Sequence, residues 1–214
     1  MLQNLPDFVG HALREQRAGL DKTVYQRVQL RGGQASIRVT SLGFVDHAPI
    51  PLVYTADGEG LSPPLQWSNL PAEAESVVLI VEDADSPTPL PLVHAIAVGL
   101  STADGFLMEG ALNDDKDGVL HPPHTAHARL GRNSYLHAGW TPPDPPPGHG
   151  PHRYAFQVFA LDSAASLPPT PGREALLDVL PMHALASGCL IGTYERHDTT
   201  VSAAEEAAQG AAVV

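Results

Sequence analysis

The 214-residue sequence contains a single cysteine, Cys189. One thiol cannot close an internal disulfide, and its isolation points to a reducing compartment. Basic residues are also scarce. Twelve Lys and Arg stand against 24 Asp and Glu, for a net charge of −12. Such a surface repels phosphodiester backbones and anionic bilayers, so nucleic acid and acidic membranes are not expected as partners. No apolar run is long enough to span a bilayer, so no stable membrane insertion is expected. The N-terminus has no basic n-region followed by an apolar stretch, so no signal peptide is read there. A cytoplasmic location is the resulting expectation. Familiar catalytic signatures are missing too: there is no G-x-S-x-G elbow, no P-loop and no dinucleotide fingerprint. Cys189 lies in an apolar setting, where burial would raise its pKa and blunt it as a nucleophile.

Glycine (19) and proline (21), by contrast, are plentiful. The prolines fall between apolar runs, which reads as many turns and not as disorder. No long linker divides the chain, and one domain of this length can bury a core without disulfide staples.

The most informative stretch runs from Asp144 to Leu161. Its first half, Asp144-Pro145-Pro146-Pro147-Gly148-His149-Gly150-Pro151, excludes helix and central strand, because proline lacks an N–H and fixes φ. Its second half alternates. His152, Tyr154, Phe156 and Val158 fall on one strand face, and Arg153, Ala155, Gln157 and Phe159 on the other. A stiff loop thus delivers His152 and Tyr154 to the mouth of a strand, with Pro145 and Pro146 as a rigid rim.

Elsewhere, Leu5, Phe8, Val9, Ala12 and Leu13 recur at helical spacing, and Gly19 is expected to end that helix. Packing on the domain is the first reading of this helix; a dimer or partner surface is the second. Alternation over Ile37 to Phe44 predicts a strand. The β-branched run Val77 to Val81 predicts a strand buried on both faces, ending in the acidic turn Glu82-Asp83-Ala84-Asp85-Ser86-Pro87. A further strand is expected over His94 to Leu100, with His94, Ile96 and Val98 on one face. Asp114, Asp115 and Asp117 read as a solvated loop without the spacing of a calcium site. Thr170 is the expected N-cap of a helix reaching Leu180, with Pro181 interrupting it and a second helical turn from Met182 to Ala186. A last strand is expected over Cys189 to Tyr194. Short strands outnumber helices, which predicts a β-rich domain with peripheral helices.

Several separated motifs, in order, resemble the phosphatidylethanolamine-binding protein family, and most closely its bacterial Raf kinase inhibitor-like branch. They are Asp83-x-Asp85-x-Pro87, His94, Pro145-Pro146, and Gly148-His149-Gly150-Pro151-His152-Arg153-Tyr154. Asp57-Gly58-Glu59-Gly60-Leu61-Ser62-Pro63-Pro64-Leu65-Gln66-Trp67 and Leu190-Ile191-Gly192-Thr193-Tyr194 extend the likeness to about residues 37–197. The resemblance implies a large antiparallel sheet packed on a smaller one, with a few peripheral helices. It divides the chain into an N-terminal helical extension (1–35), the family domain (36–198) and a flexible tail (199–214). It also implies one small anion-accepting pocket lined by Asp83, Pro87, His94, Pro145, Pro146, His152 and Tyr154. Asp144 stands before the proline pair, where members of the family carry a small residue. A carboxylate turned inward there would oppose an anion.

The residue types suit that role. His94, His152 and Tyr154 can donate to an anion, Asp83 can orient an imidazole, and the prolines supply carbonyls and apolar walls. A phosphomonoester with a small cationic head would fit, and affinity would fall from about pH 6 to pH 8 if the histidines titrate ordinarily. The expected function is binding of small phosphorylated or other anionic ligands, with phosphoethanolamine-like headgroups as the type and a regulatory role attached. The first alternative is a kinase or protease inhibitor-like interaction protein that receives a partner's group in the pocket. The second is a small-ester hydrolase, for which no catalytic residue can be named. A homodimer is expected from the bacterial relatives and the apolar helix face. No cofactor is expected. A metal is set aside, because Pro122 and Pro123 keep His121, His124 and His127 off one helix face and no zinc spacing is present.

Overall fold

The computed structural model describes residues 6–30, 36–103, 105–113, 128–162 and 165–197. Strands β1 (Arg38–Thr40), β3 (Leu65–Ser68) and β6 (Gly105–Leu107) form a three-stranded sheet in the order β1-β3-β6. The larger sheet contains β2 (Ala48–Pro49), β4 (Ser76–Asp83), β5 (Leu92–Leu100), β7 (Arg129–Leu130), β8 (His152–Leu161) and β9 (Ala184–Tyr194). Its order is β2-β9-β8-β4-β5-β7, antiparallel except for the β2–β9 pair at one edge. Helices α1 (Asp7–Leu13), α2 (Val24–Arg27) and α3 (Arg173–His183) are the α-helices among the described residues.

The apolar run of β4 is buried on both faces because each face has its own core. Val77, Leu79 and Val81 join Tyr154, Phe156 and Val158 against Val39, Leu65, Trp67 and Leu107 of the small sheet. Val78 and Ile80 join Ile96, Val98 and Phe159 against Val24 and Val28, and against Leu176 and Leu180 of α3. Each fully buried leucine contributes about 1.5–3 kcal/mol over its exposed state. The alternation of β8 follows this division, since Tyr154, Phe156 and Val158 belong to the first core and Phe159 to the second.

Strand β5 departs from its expected alternation. Val81 pairs with Ala95 but Glu82 pairs with Val93, leaving His94 as an extra residue. This bulge turns His94 toward Tyr154 and Trp140, away from Ile96 and Val98, which pack under the helices. A bulge re-aims a side chain in this way because it breaks the two-residue repeat.

Several boundaries also differ. Helix α1 ends at Leu13, and Gly19 instead precedes a short 3-10 turn over Leu20–Lys22. Between them the chain turns extended, with Ala18 and Gly19 N–H donating to Ser86 and Ala84 O. Strand β1 stops at Thr40, not Phe44. Helix α3 starts after Gly172, not Thr170, and continues through Pro181 to His183. Strand β9 then begins directly at Ala184, in place of a helical turn to Ala186. Its long ladder with β8, from Leu161–Ala184 to His152–Tyr194, outweighs the helical propensity of those small residues. The Asp114–Asp117 loop, the His121, His124 and His127 series, and the 199–214 tail lie outside the described residues.

Candidate functional site

Strand register brings the site together. Asp83 ends β4 directly opposite Tyr154, and His152 opens β8 two residues earlier on the same face. His94 reaches this face from the β5 bulge, its ring 5.2 Å from that of Tyr154 and edge-on at 87°. The His152 and Tyr154 rings stack at 6.4 Å. Pro145 and Pro146 are buried in the loop that precedes β8, and Pro87 stands half-buried in the loop leaving β4. In the turn that carries the prolines, His149 N–H donates to Pro146 O (3.2 Å). Gly148 takes φ +75° there, a third-position conformation that a side chain would strain.

Asp83 is almost fully buried and fully engaged. One oxygen accepts from Asp85 N–H (2.9 Å) and the other contacts His152 Nδ1 (2.8 Å). The chain continues from His152 Nε2 to His149 Nδ1 (2.7 Å) and from His149 Nε2 to Leu13 O (2.9 Å). Both ends of this chain, a carboxylate and a carbonyl, can only accept. Filling all three contacts takes three N–H protons on two imidazoles, one more than the neutral pair carries. Burial, and then the neighbouring His152 charge, keep the His149 pKa below its ordinary value.

His94 is different. Its Nδ1 donates to Thr141 O at 2.6 Å, while Nε2 is buried without a hydrogen-bond partner among the described residues. Burial lowers its pKa, although Asp83 opposes the shift, so the ring is held toward its neutral form. The hydroxyl of Tyr154 is likewise buried without a partner among the described residues. Burial, followed by the charge of Asp83, pushes its pKa well up and keeps it a phenol.

Other residues at the site were not singled out by sequence reasoning. The Tyr135 ring lies 5.8 Å from His94, and burial together with Asp83 and Asp144 pushes its pKa up to about 12. Asp144 does not stand alone at the rim. Arg196 Nη1 donates to its carboxylate (2.7 Å) and to Pro145 O (2.8 Å), and Arg196 Nε donates to Asp57 (2.8 Å). Arg196 follows the end of β9 by two residues, and nothing in its local sequence signals this reach. Tyr135 lies in the irregular segment between β7 and β8, where no period aims a side chain. His149 sat within the most informative stretch, but loop residues carry no periodicity to aim a side chain.

Asp85, from the same motif as Asp83, serves as an anchor. Burial would push its pKa up, but hydrogen bonds from Arg153 and then Arg17 hold it below the ordinary value. Arg153 grips it through Nε and Nη2, both at 2.7 Å. Arg17 lies 3.2 Å away and also donates to Pro151 O and His149 O. The N-terminal segment thus buttresses the proline loop. Gly10 of α1 fits so closely that a Cβ there would sit 1.9 Å from Pro147 O. Among the described residues, no group of three or more His, Cys, Asp or Glu could hold a metal. Cys189 is pushed up to about 12 by burial, then by Asp46.

A two-sheet β fold with a buried Asp–His–Tyr cluster at the strand ends defines a class to which known proteins can be compared. Residues 40–195 match the family profile described as phosphatidylethanolamine-binding protein. A UPF0098 protein of Pyrococcus abyssi is 35% identical over 165 residues, covering 77% of this chain and 88% of that protein. The crystal structure of a putative phosphatidylethanolamine-binding protein homolog from Chlamydia trachomatis is similar at TM-score 0.65 and 36% identity, covering 76% of this chain and 99% of that one. E. coli YbcL, described as a member of the mammalian family, aligns at TM-score 0.66 and 26% identity, over 75% of this chain and 99% of that one. The chain belongs to the phosphatidylethanolamine-binding protein family.

Proposed function

We propose that the protein binds small phosphorylated or other anionic ligands, with phosphoethanolamine-like headgroups as the type. The ligand would sit among Asp83, Pro87, His94, Pro145, Pro146, His152 and Tyr154. One observation carries this reading: two buried polar atoms, His94 Nε2 and Tyr154 Oη, share one strand-end cluster and have no partner among the described residues. Buried polar atoms are normally hydrogen-bonded, so a pair left open in one place favours a ligand. We further propose a cytoplasmic location, from the single unpaired cysteine, and a homodimer using α1, whose Phe8 is 71% exposed. Among the described residues no helix is long and apolar enough to cross a membrane.

Calorimetric titration with phosphoethanolamine near pH 6.5, with His152→Ala as control, tests the binding reading. Saturable binding to the wild type, lost in the variant, is expected. A folded wild type that binds neither phosphoethanolamine nor inorganic phosphate would reject it and turn attention to a protein partner.

A further inference from the structure

We propose that this pocket selects an acid group that still carries one proton: a singly protonated phosphate or phosphonate monoester, in preference to a dianion or a sulfate ester. The inference rests on the ligand-binding reading above and deepens it by naming the protonation state that the site takes.

The argument is one of donors and acceptors. Thr141 O can only accept, so the 2.6 Å contact places the His94 proton on Nδ1. The neutral ring that burial favours then presents Nε2 as a bare lone pair. A buried lone pair asks for a donor. Tyr154 does not supply it, since its hydroxyl is also without a hydrogen-bond partner among the described residues and its ring meets His94 edge-on. The phenol offers its own proton to an acceptor. The two groups together therefore call for a ligand that donates at one oxygen and accepts at another.

Hydrogen phosphate esters do both, through P–O–H and P–O⁻. A fully deprotonated phosphate or a sulfate ester has only acceptor oxygens, and would set a lone pair against that of His94. This is the unmatched-pair penalty by which buried polar sites reject near-isosteres. The surrounding charges act in the same direction. His94 is faced by Asp83 from β4, by His152 and Tyr154 from β8, and by Tyr135 and Asp144 from the loops. Arg196, beyond β9, acts on Tyr154 but is already paired with Asp144 and Asp57. Asp83, the carboxylate that acts most strongly on His94, makes a second ligand charge costly.

The test compares phosphoethanolamine with 2-aminoethyl hydrogen sulfate. Both have the same head and chain. At about pH 6, where phosphate monoesters have their second pKa, a large share of the phosphate carries one negative charge and one O–H. The sulfate ester carries the same single charge and no O–H. Phosphoethanolamine is expected to bind at least about tenfold more tightly, the factor that 1.4 kcal/mol corresponds to. Its affinity should fall as pH rises and the monoanion disappears, while that of the sulfate ester changes little. His94→Phe, which keeps a ring but removes the acceptor, should bring the two affinities together. Tyr154→Phe should weaken both alike. Equal binding of the two ligands to the wild type would overturn the proton selectivity and leave the anion site standing. Binding of neither would overturn both.

Discussion

Glu82 and Asp83 are neighbours on one strand, face opposite sides of the same sheet, and live in opposite kinds of polar cluster. Glu82 is fully buried on the helical side, where every contact is met. One oxygen accepts from Arg173 Nε (2.7 Å) and the other from Val24 N–H (2.7 Å) and Gln157 Nε2 (2.9 Å). Gln157 Oε1 accepts from Tyr25 N–H and Arg173 Nη2 donates to Lys22 O, which pins the N-terminal segment to the sheet. The Asp83 side is built from histidines and tyrosine and leaves His94 Nε2, Tyr154 Oη and the neighbouring Trp140 Nε1 without a partner among the described residues. A closed network of this kind fixes structure, whereas an open one leaves buried donors and acceptors unmet.

The comparison is broken most forcefully by Arg173→Met. Glu82 would keep its charge in the interior without its counter-ion, which costs about 3–5 kcal/mol in similar buried pairs. Denaturant unfolding should show that loss, while ligand affinity of the folded variant stays unchanged. A loss below about 1 kcal/mol would mean the network is not the anchor described. Tyr154→Phe should act in the reverse sense. Removing an unmet hydroxyl should leave stability unchanged or raise it by up to about 1 kcal/mol, while phosphoethanolamine binding weakens about tenfold or more. Clear destabilisation would show that the hydroxyl is already satisfied within the protein.

The smallest effect is expected from pH. The folded-state pKa of His94 lies below its unfolded value of about 6.5, and that of His149 is shifted the same way. The unfolded chain therefore binds protons first as pH falls. Stability present above about pH 6.5 is lost as pH drops through the folded-state values. Asp85, also shifted down, adds a further loss at more acid pH, below the ordinary carboxylate range. Stability that rises between neutral and mildly acid pH would contradict a neutral, buried His94.

Those parts of the molecule governed by a simple period were readable in the sequence. The apolar run Val77 to Val81 and the alternation from His152 to Phe159 both match the two cores they enter. A two-residue repeat puts His94 on the wrong face because it cannot foresee an inserted residue, and the bulge is set by pairing with β4. The α3–β9 junction was missed for a related reason. A long ladder with β8 decides the state of Ala184 to Gly188, not their local propensity. Arg196 and Tyr135 reach the rim from segments far apart in the chain, so no local motif announces them.

The central claim is that the open positions on the Asp83 side receive a ligand. Ring-nitrogen NMR of His94 during titration with phosphoethanolamine tests it most directly. The account predicts an unprotonated Nε2 in the free protein at neutral pH, whose resonance moves saturably as the ligand's O–H is donated to it. A ring that starts protonated on both nitrogens, or an Nε2 signal unmoved at saturation, would contradict it.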